Sequence, residues 1–142
     1  MSKPRILFLC TGNSCRSQMA EGLARYLKGS ELEAFSAGTR PQNLNPHAVT
    51  VMREIGIDIS SHVAKSVEGL GDLKFDFVIT VCDDARESCP IWPGAGILVH
   101  RAFDDPPRLA AGSGSEGEAL NHYRRVRDEI KEFVLTLPPA LL

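Results

Sequence analysis

The sequence predicts a single α/β domain: a three-layer fold built on a four-stranded parallel sheet, order 2-1-3-4, with helices on both faces. Three observations predict it. Short apolar runs of strand length alternate with segments whose apolar residues recur at helical spacing. The first run, Ile6-Leu7-Phe8-Leu9, leads straight into Cys10-Thr11-Gly12-Asn13-Ser14-Cys15-Arg16, after which a helical pattern starts at once. The 142 residues and 43% hydrophobic content suit one domain over 1–142 with room for a core.

Each element follows from local pattern. The first strand is Arg5–Leu9. A helix runs from about Ser14 to Lys28, with Ala20, Leu23, Ala24 and Leu27 on one face and Gly29 as its stop. The second strand is about Glu33–Ala37. Asn45-Pro46 then supplies a helix cap and a proline at the first helical position. That helix turns Ala48, Val51, Met52 and Ile55 inward and ends at Gly56. Phe77–Val81 and Ile97–His100 are apolar enough to be strands covered on both faces. Pro106–Gly117, rich in Pro, Ala, Gly and Ser, reads as a flexible loop. A last helix from about Glu118 to Leu137 buries Tyr123, Val126, Ile130, Phe133 and Leu137, and its charged Tyr123–Glu132 stretch reads as a wet face. Right-handed crossovers bring the Cys10 loop to the carboxyl ends of the strands, where open α/β sheets bind ligands.

Composition narrows the function classes. Sixteen basic against eighteen acidic residues leave a formal charge of −2, and no basic run is interleaved with aromatics, so nucleic acid is not an expected partner. No apolar string approaches the ~20 residues that span a membrane. Met1-Ser2-Lys3-Pro4-Arg5 enters a strand without a signal-peptide pattern, which predicts a cytoplasmic protein, with a monomer as the default. Four cysteines could form two structural disulfides in a secreted chain. Here two lie in the loop and two near a later strand end, which favours catalytic or redox duty. His47, His62, His100 and His122 lack metal-ligand spacing, so neither a metal nor a cofactor is expected.

The Cys10 loop carries the chemistry. A strand ending in a tight loop over a helix N-terminus makes a cradle of backbone N–H groups for a tetrahedral oxyanion, here from Thr11, Gly12, Asn13, Ser14, Cys15 and Arg16. Cys10 sits at its base, where the helix dipole and Arg16 favour the attacking thiolate. Arg16, six positions on, offers a planar fork for two oxygens. Ser17 can donate a hydroxyl to Cys10, and Asn13 tolerates a left-handed backbone. Asp104-Asp105-Pro106, after the fourth strand, is ordinary turn chemistry but could also supply the acid that protonates a leaving oxygen. Cys82 follows the third strand and should emerge on the same sheet edge as Cys10. If 83–89 were helical, Cys82 and Cys89 would stand about 10 Å apart along the axis. A disulfide needs Cα atoms within ~7 Å, so bridging them would require that segment to unwind. Cys15 reads as a packing residue.

These motifs resemble the thioredoxin-coupled arsenate reductases built on the low-molecular-weight tyrosine phosphatase fold. The resemblance rests on Cys10 through Gly22, Ser36-Ala37-Gly38, Thr80 through Ala85, Cys89-Pro90 and Phe103-Asp104-Asp105-Pro106. It implies a relay in which Cys10 attacks arsenate and Asp105 rather than Asp104 helps an oxygen leave. Cys82 and then Cys89 carry the disulfide onward, and thioredoxin reduces it. It also implies loop support from Asn13, Glu21 and Ser36. Members that hold a potassium ion there use an acid where this chain has Lys65, so the Lys65 ammonium is expected to replace the cation.

Two rivals use the same residues. A phosphotyrosine phosphatase of this fold would share the loop, but Pro41-Gln42-Asn43-Leu44 and Pro107-Arg108-Leu109 offer no aromatic surface for a phenyl ring. Weak phosphatase activity is still expected from the shared cradle. A non-enzymatic oxyanion or redox sensor would need no leaving-group acid.

Overall fold

The computed structural model describes residues 3–83, 92, 94 and 96–141. Strands β1 (Arg5–Cys10), β2 (Glu33–Gly38), β3 (Phe77–Thr80) and β4 (Ile97–His100) form one parallel sheet in the order β2-β1-β3-β4. The helices are α1 (Arg16–Lys28), α2 (Pro46–Glu54), α3 (Pro106–Ala110) and α4 (Glu116–Leu135). The parallel sheet and its strand order match the sequence expectation. No helix among the described residues is long and apolar enough to cross a membrane.

Alternation along β1 sends Ile6 and Phe8 to one face and Leu7 and Leu9 to the other, all at most 1% exposed. Burial of each contributes roughly 1.5–3 kcal/mol. The two faces are covered unequally. Ile6 and Phe8 pack with Met19 and Leu23 of α1, Val51 and Met52 of α2, and Val126 and Ile130 of α4. Leu7 and Leu9 meet Phe75, Val67, Leu70 and Trp92, around a short 3₁₀ turn over Glu68–Leu70. β1 runs one residue further than the sequence suggested because Cys10 pairs with Gly38.

The helix ends are chemically specified. Asn45 caps α2, its Oδ1 accepting from His47 N at 2.8 Å and Ala48 N at 3.3 Å. At the other end Gly56 takes φ +81°, and the N–H groups of Gly56 and Ile57 bond back to Arg53 and Met52. Ser115 caps α4 by accepting from Glu118 N at 3.2 Å.

Three expectations are corrected. Pro106–Gly117 is not a loop throughout: α3 occupies Pro106–Ala110, started by two prolines at positions that need no N–H donor. β4 is not covered on both faces. It is an edge strand with Ile97 59% and Leu98 51% exposed, because only β3 pairs with it. The charged stretch of α4 is not wholly wet: Arg127 is buried and donates to Val51 O and Glu54 Oε1, both at 2.9 Å, tying α4 to α2.

Candidate active site

The loop between β1 and α1 is shaped by a left-handed residue and an external strap. Asn13 has φ +48°, a conformation asparagine tolerates better than most side chains. Residues 40–45 run alongside and donate backbone hydrogen bonds to three loop carbonyls. Arg40 N reaches Thr11 O at 2.9 Å, Gln42 N reaches Gly12 O at 2.8 Å and Asn45 N reaches Ser14 O at 3.0 Å. In a trans peptide the C=O and N–H point opposite ways. Turning those three carbonyls toward the strap therefore turns the N–H groups of Gly12, Asn13 and Cys15 toward the pocket. The Asn13 N–H meets Cys10 Sγ at 3.2 Å.

Cys10 lies at the pocket base and is a free thiol. Ser17 Oγ is 2.9 Å from Cys10 Sγ and accepts from Asn13 Nδ2 at 2.8 Å, which leaves its hydroxyl hydrogen free to donate to the sulfur. Arg16 is buried, with Nη1 donating to Phe103 O at 3.0 Å and Nη2 lying 3.6 Å from Asp105 Oδ1. These groups and Pro107 enclose a cavity of about 310 Å³, ample for a tetrahedral oxyanion. Asp105 occupies the N-cap position of α3 but makes no capping bond, so its carboxyl stays with the pocket. Asp104 instead forms an ion pair with Arg125 at 2.9 Å.

The supporting layer is a closed polar network. Asn13, fully buried, accepts through Oδ1 from Lys65 N at 2.8 Å and Gln18 Nε2 at 3.0 Å. Gln18 Nε2 also reaches Val63 O, and its Oε1 faces His62 Nδ1 at 3.0 Å. Burial lowers the His62 pKa from its usual range, Arg25 and Lys65 acting the same way and Glu21 and Asp58 opposing. Ser36 Oγ donates to Glu21 Oε1. Lys65 Nζ stands 3.4 Å from Glu21 Oε1, 3.5 Å from Ser36 Oγ and 3.1 Å from Val63 O. These residues do not suit a bound potassium ion, since an ammonium already stands among their oxygens.

Gly38 ends β2 directly beneath the loop. A Cβ there would press on the Thr11 carbonyl and lie 2.9 Å from Asn13 N. Cys15 is buried in the main core, and burial pushes its thiol pKa far up despite Arg16 beside it. It therefore stays protonated near neutrality.

The third strand delivers Cys82 to the same edge: Leu9, the residue before Cys10, pairs with Thr80, and Cys82 lies two residues beyond Thr80. Cys82 is buried and disulfide-bonded. Cys89, and with it the expected rearrangement between Cys82 and Cys89, lies outside the described residues.

The structure thus brings together Cys10, Arg16, Ser17 and Asp105, and beneath them Asn13, Glu21, Ser36 and Lys65. Sequence reasoning missed Gln18 and Asn45 as parts of this assembly. Gln18 carries no signal, being a good helix former that reads as surface. Asn45 showed itself only as a cap, although its Nδ2 also donates to Tyr123 Oη at 3.0 Å.

Comparison with known proteins places this architecture. Residues 5–141 match the profile of the low molecular weight phosphotyrosine protein phosphatases. An arsenate reductase of Bacillus licheniformis is 48% identical over 132 residues, 93% of each chain. A solved arsenate reductase in a phosphate-binding state superimposes with a TM-score of 0.77 at 33% identity, over 94% of this chain and 95% of that one. The low molecular weight protein tyrosine phosphatase of T. tengcongensis gives a TM-score of 0.71 at 28% identity, over 95% and 97%. With a shared profile over nearly its whole length, the chain belongs to the low molecular weight phosphotyrosine protein phosphatase family.

Proposed function

We propose that this chain is an arsenate reductase that runs a three-cysteine relay with thioredoxin as electron donor. The Cys10 thiolate attacks arsenic(V) held by the loop N–H groups and Arg16, and Asp105 protonates the oxygen that leaves as water. Cys82 then attacks Cys10 Sγ. The electron pair of the S–As bond stays on arsenic, which departs as arsenite, and a Cys10–Cys82 disulfide forms. Cys89 attacks Cys82, freeing Cys10, and a thioredoxin dithiol reduces the resulting bridge by ordinary exchange. Phosphorus(V) does not accept electrons from thiols in this way, so phosphate would bind without turnover.

One observation carries the reading: Cys82, at the sheet edge beside a free Cys10, already holds a disulfide. A phosphatase needs no such group. The 48% identity to an enzyme named arsenate reductase supports the same substrate. A cytoplasmic site of action, where thioredoxin is kept reduced, follows from the same proposal.

The test is NADPH consumption by purified protein with thioredoxin and thioredoxin reductase, with and without arsenate. Wild type should turn over only with arsenate, and Cys89→Ala should lose at least 100-fold in steady state by interrupting the relay (an order-of-magnitude expectation). No turnover in wild type, alongside hydrolysis of an aryl phosphate, would assign the phosphatase reaction instead.

A further inference from the structure

The pocket described above has two lips, and one of them is a polar side chain with nothing to bind. Gln42 is exposed and is fixed in place by its backbone bond to Gly12 O at 2.8 Å. Its side chain lies over Gly12, with Cδ and Oε1 each 3.5 Å from where a Gly12 Cβ would stand. Among the described residues its carboxamide makes no hydrogen bond. Gln42 lines the oxyanion pocket and also a neighbouring groove of about 330 Å³ walled by Pro41, Asn43, Leu44, His62, Val63 and Ala64. It is therefore the partition between the two.

We propose that Gln42 is a specificity-determining residue that favours a free tetrahedral oxyanion over an esterified one. The inference rests on the reading that the Cys10 pocket holds an oxyanion. In-line attack from Cys10 points the leaving oxygen away from the sulfur, toward the pocket mouth where Gln42 and Asp105 stand. In free phosphate or arsenate that oxygen is a hydroxyl or an oxyanion. The carboxamide can accept from the first and donate to the second. In an ester the same position carries carbon, which gives Gln42 no partner and must displace its side chain to reach the groove. A hydrogen-bonding group at this point selects for the bare ion, and its removal joins the pocket to the neighbouring groove, where Pro41, Leu44, Val63 and Ala64 offer an aryl substituent apolar surface beside Asn43 and His62.

The experiment compares two ligands. Inorganic phosphate is titrated calorimetrically into wild type and Gln42→Ala. Phenyl phosphate is titrated into the same pair carrying Cys10→Ser, which prevents turnover. Gln42→Ala should weaken phosphate about tenfold or more, the loss of roughly one hydrogen bond to an anion, and leave phenyl phosphate unchanged or tighter. Gln42→Glu, which keeps the side chain's size, should weaken phosphate more strongly by charge repulsion, and both variants should keep the wild-type melting temperature. Equal weakening of both ligands, or no change in either, would overturn the proposal. These titrations need no arsenate turnover. A wild type that fails to reduce arsenate, yet shows the phosphate-selective loss, removes the reductase reading and leaves the role of Gln42 standing.

Discussion

The sheet's carboxyl edge has two unlike halves. Where β1 and β2 end, polar atoms are locked: Asn13, Ser17, Gln18, Glu21 and Ser36 are buried and hydrogen-bonded to one another. On the far side the sheet ends at β4, an edge strand paired only with β3, and Asp83, Asp104 and Asp105 line a recess with Arg108 and Leu109. The difference matches two tasks in the proposed relay. An oxyanion cradle works by preorganisation, so its donors must be held before the substrate arrives. A thiol that passes a disulfide onward must reach first one sulfur and then another, which a locked network would forbid.

The comparison can be broken most sharply at Asp105, which faces the pocket from the open half. Asp105→Asn should lower kcat for arsenate about 100-fold while moving the melting temperature little, because its carboxyl makes no capping bond. A large loss of stability instead would make Asp105 part of the locked half. Gly38→Ala tests that half directly. The added methyl meets loop backbone that cannot yield, so unfolding in urea should show a loss of about 2–3 kcal/mol. A neutral result would mean the loop is looser than its bonds imply.

A smaller effect concerns pH. Burial holds the folded His62 pKa below the unfolded value of about 6.5, so the unfolded chain binds the proton more readily. Its contribution is complete above 6.5 and is lost as pH falls through 6.5 toward the folded value. Melting temperatures of wild type across this window should fall more steeply than those of His62→Gln. The smallest effect is a null one: replacing sodium by potassium chloride at equal ionic strength should leave melting temperature and turnover unchanged. Lys65→Asp, which restores an acid beside Glu21, should introduce a potassium dependence. A clear potassium stimulation of wild type would remove Lys65 from the role of substitute cation.

Strand order was readable because short apolar runs alternate with helical patterns and crossovers between parallel strands are right-handed. The Cys10 loop was readable because it follows an apolar strand directly and a helical pattern starts at its end, a placement that the common Cys-x5-Arg spacing alone would not give. The end of the sheet was not: Ile97 and Leu98 are as apolar as the buried β3, and only the position of β4 at an edge exposes them. Nor was α3, since its prolines and alanines have loop composition and only the two prolines falling at N1 and N2 suit a helix start. The closeness of Lys65 to Glu21, 44 positions apart in sequence, has no local signal and was expected only through the family resemblance.

The strap over residues 40–45 has a consequence for how this protein tolerates mutation. The N–H groups it turns inward belong to the backbone, and no substitution except proline removes a backbone donor. Thr11 can therefore change identity with its backbone N–H intact, whereas Ser14 also ties the strap through its hydroxyl, which donates to Asn43 O at 2.7 Å. The vulnerable positions lie in the strap, whose backbone N–H groups hold the loop carbonyls without touching the anion themselves. A proline at position 40 or 42 would release a carbonyl from the strap and free the peptide it steadies to rotate. Mutational sensitivity around this pocket should thus follow the scaffold that orients it more closely than the wall that faces the substrate.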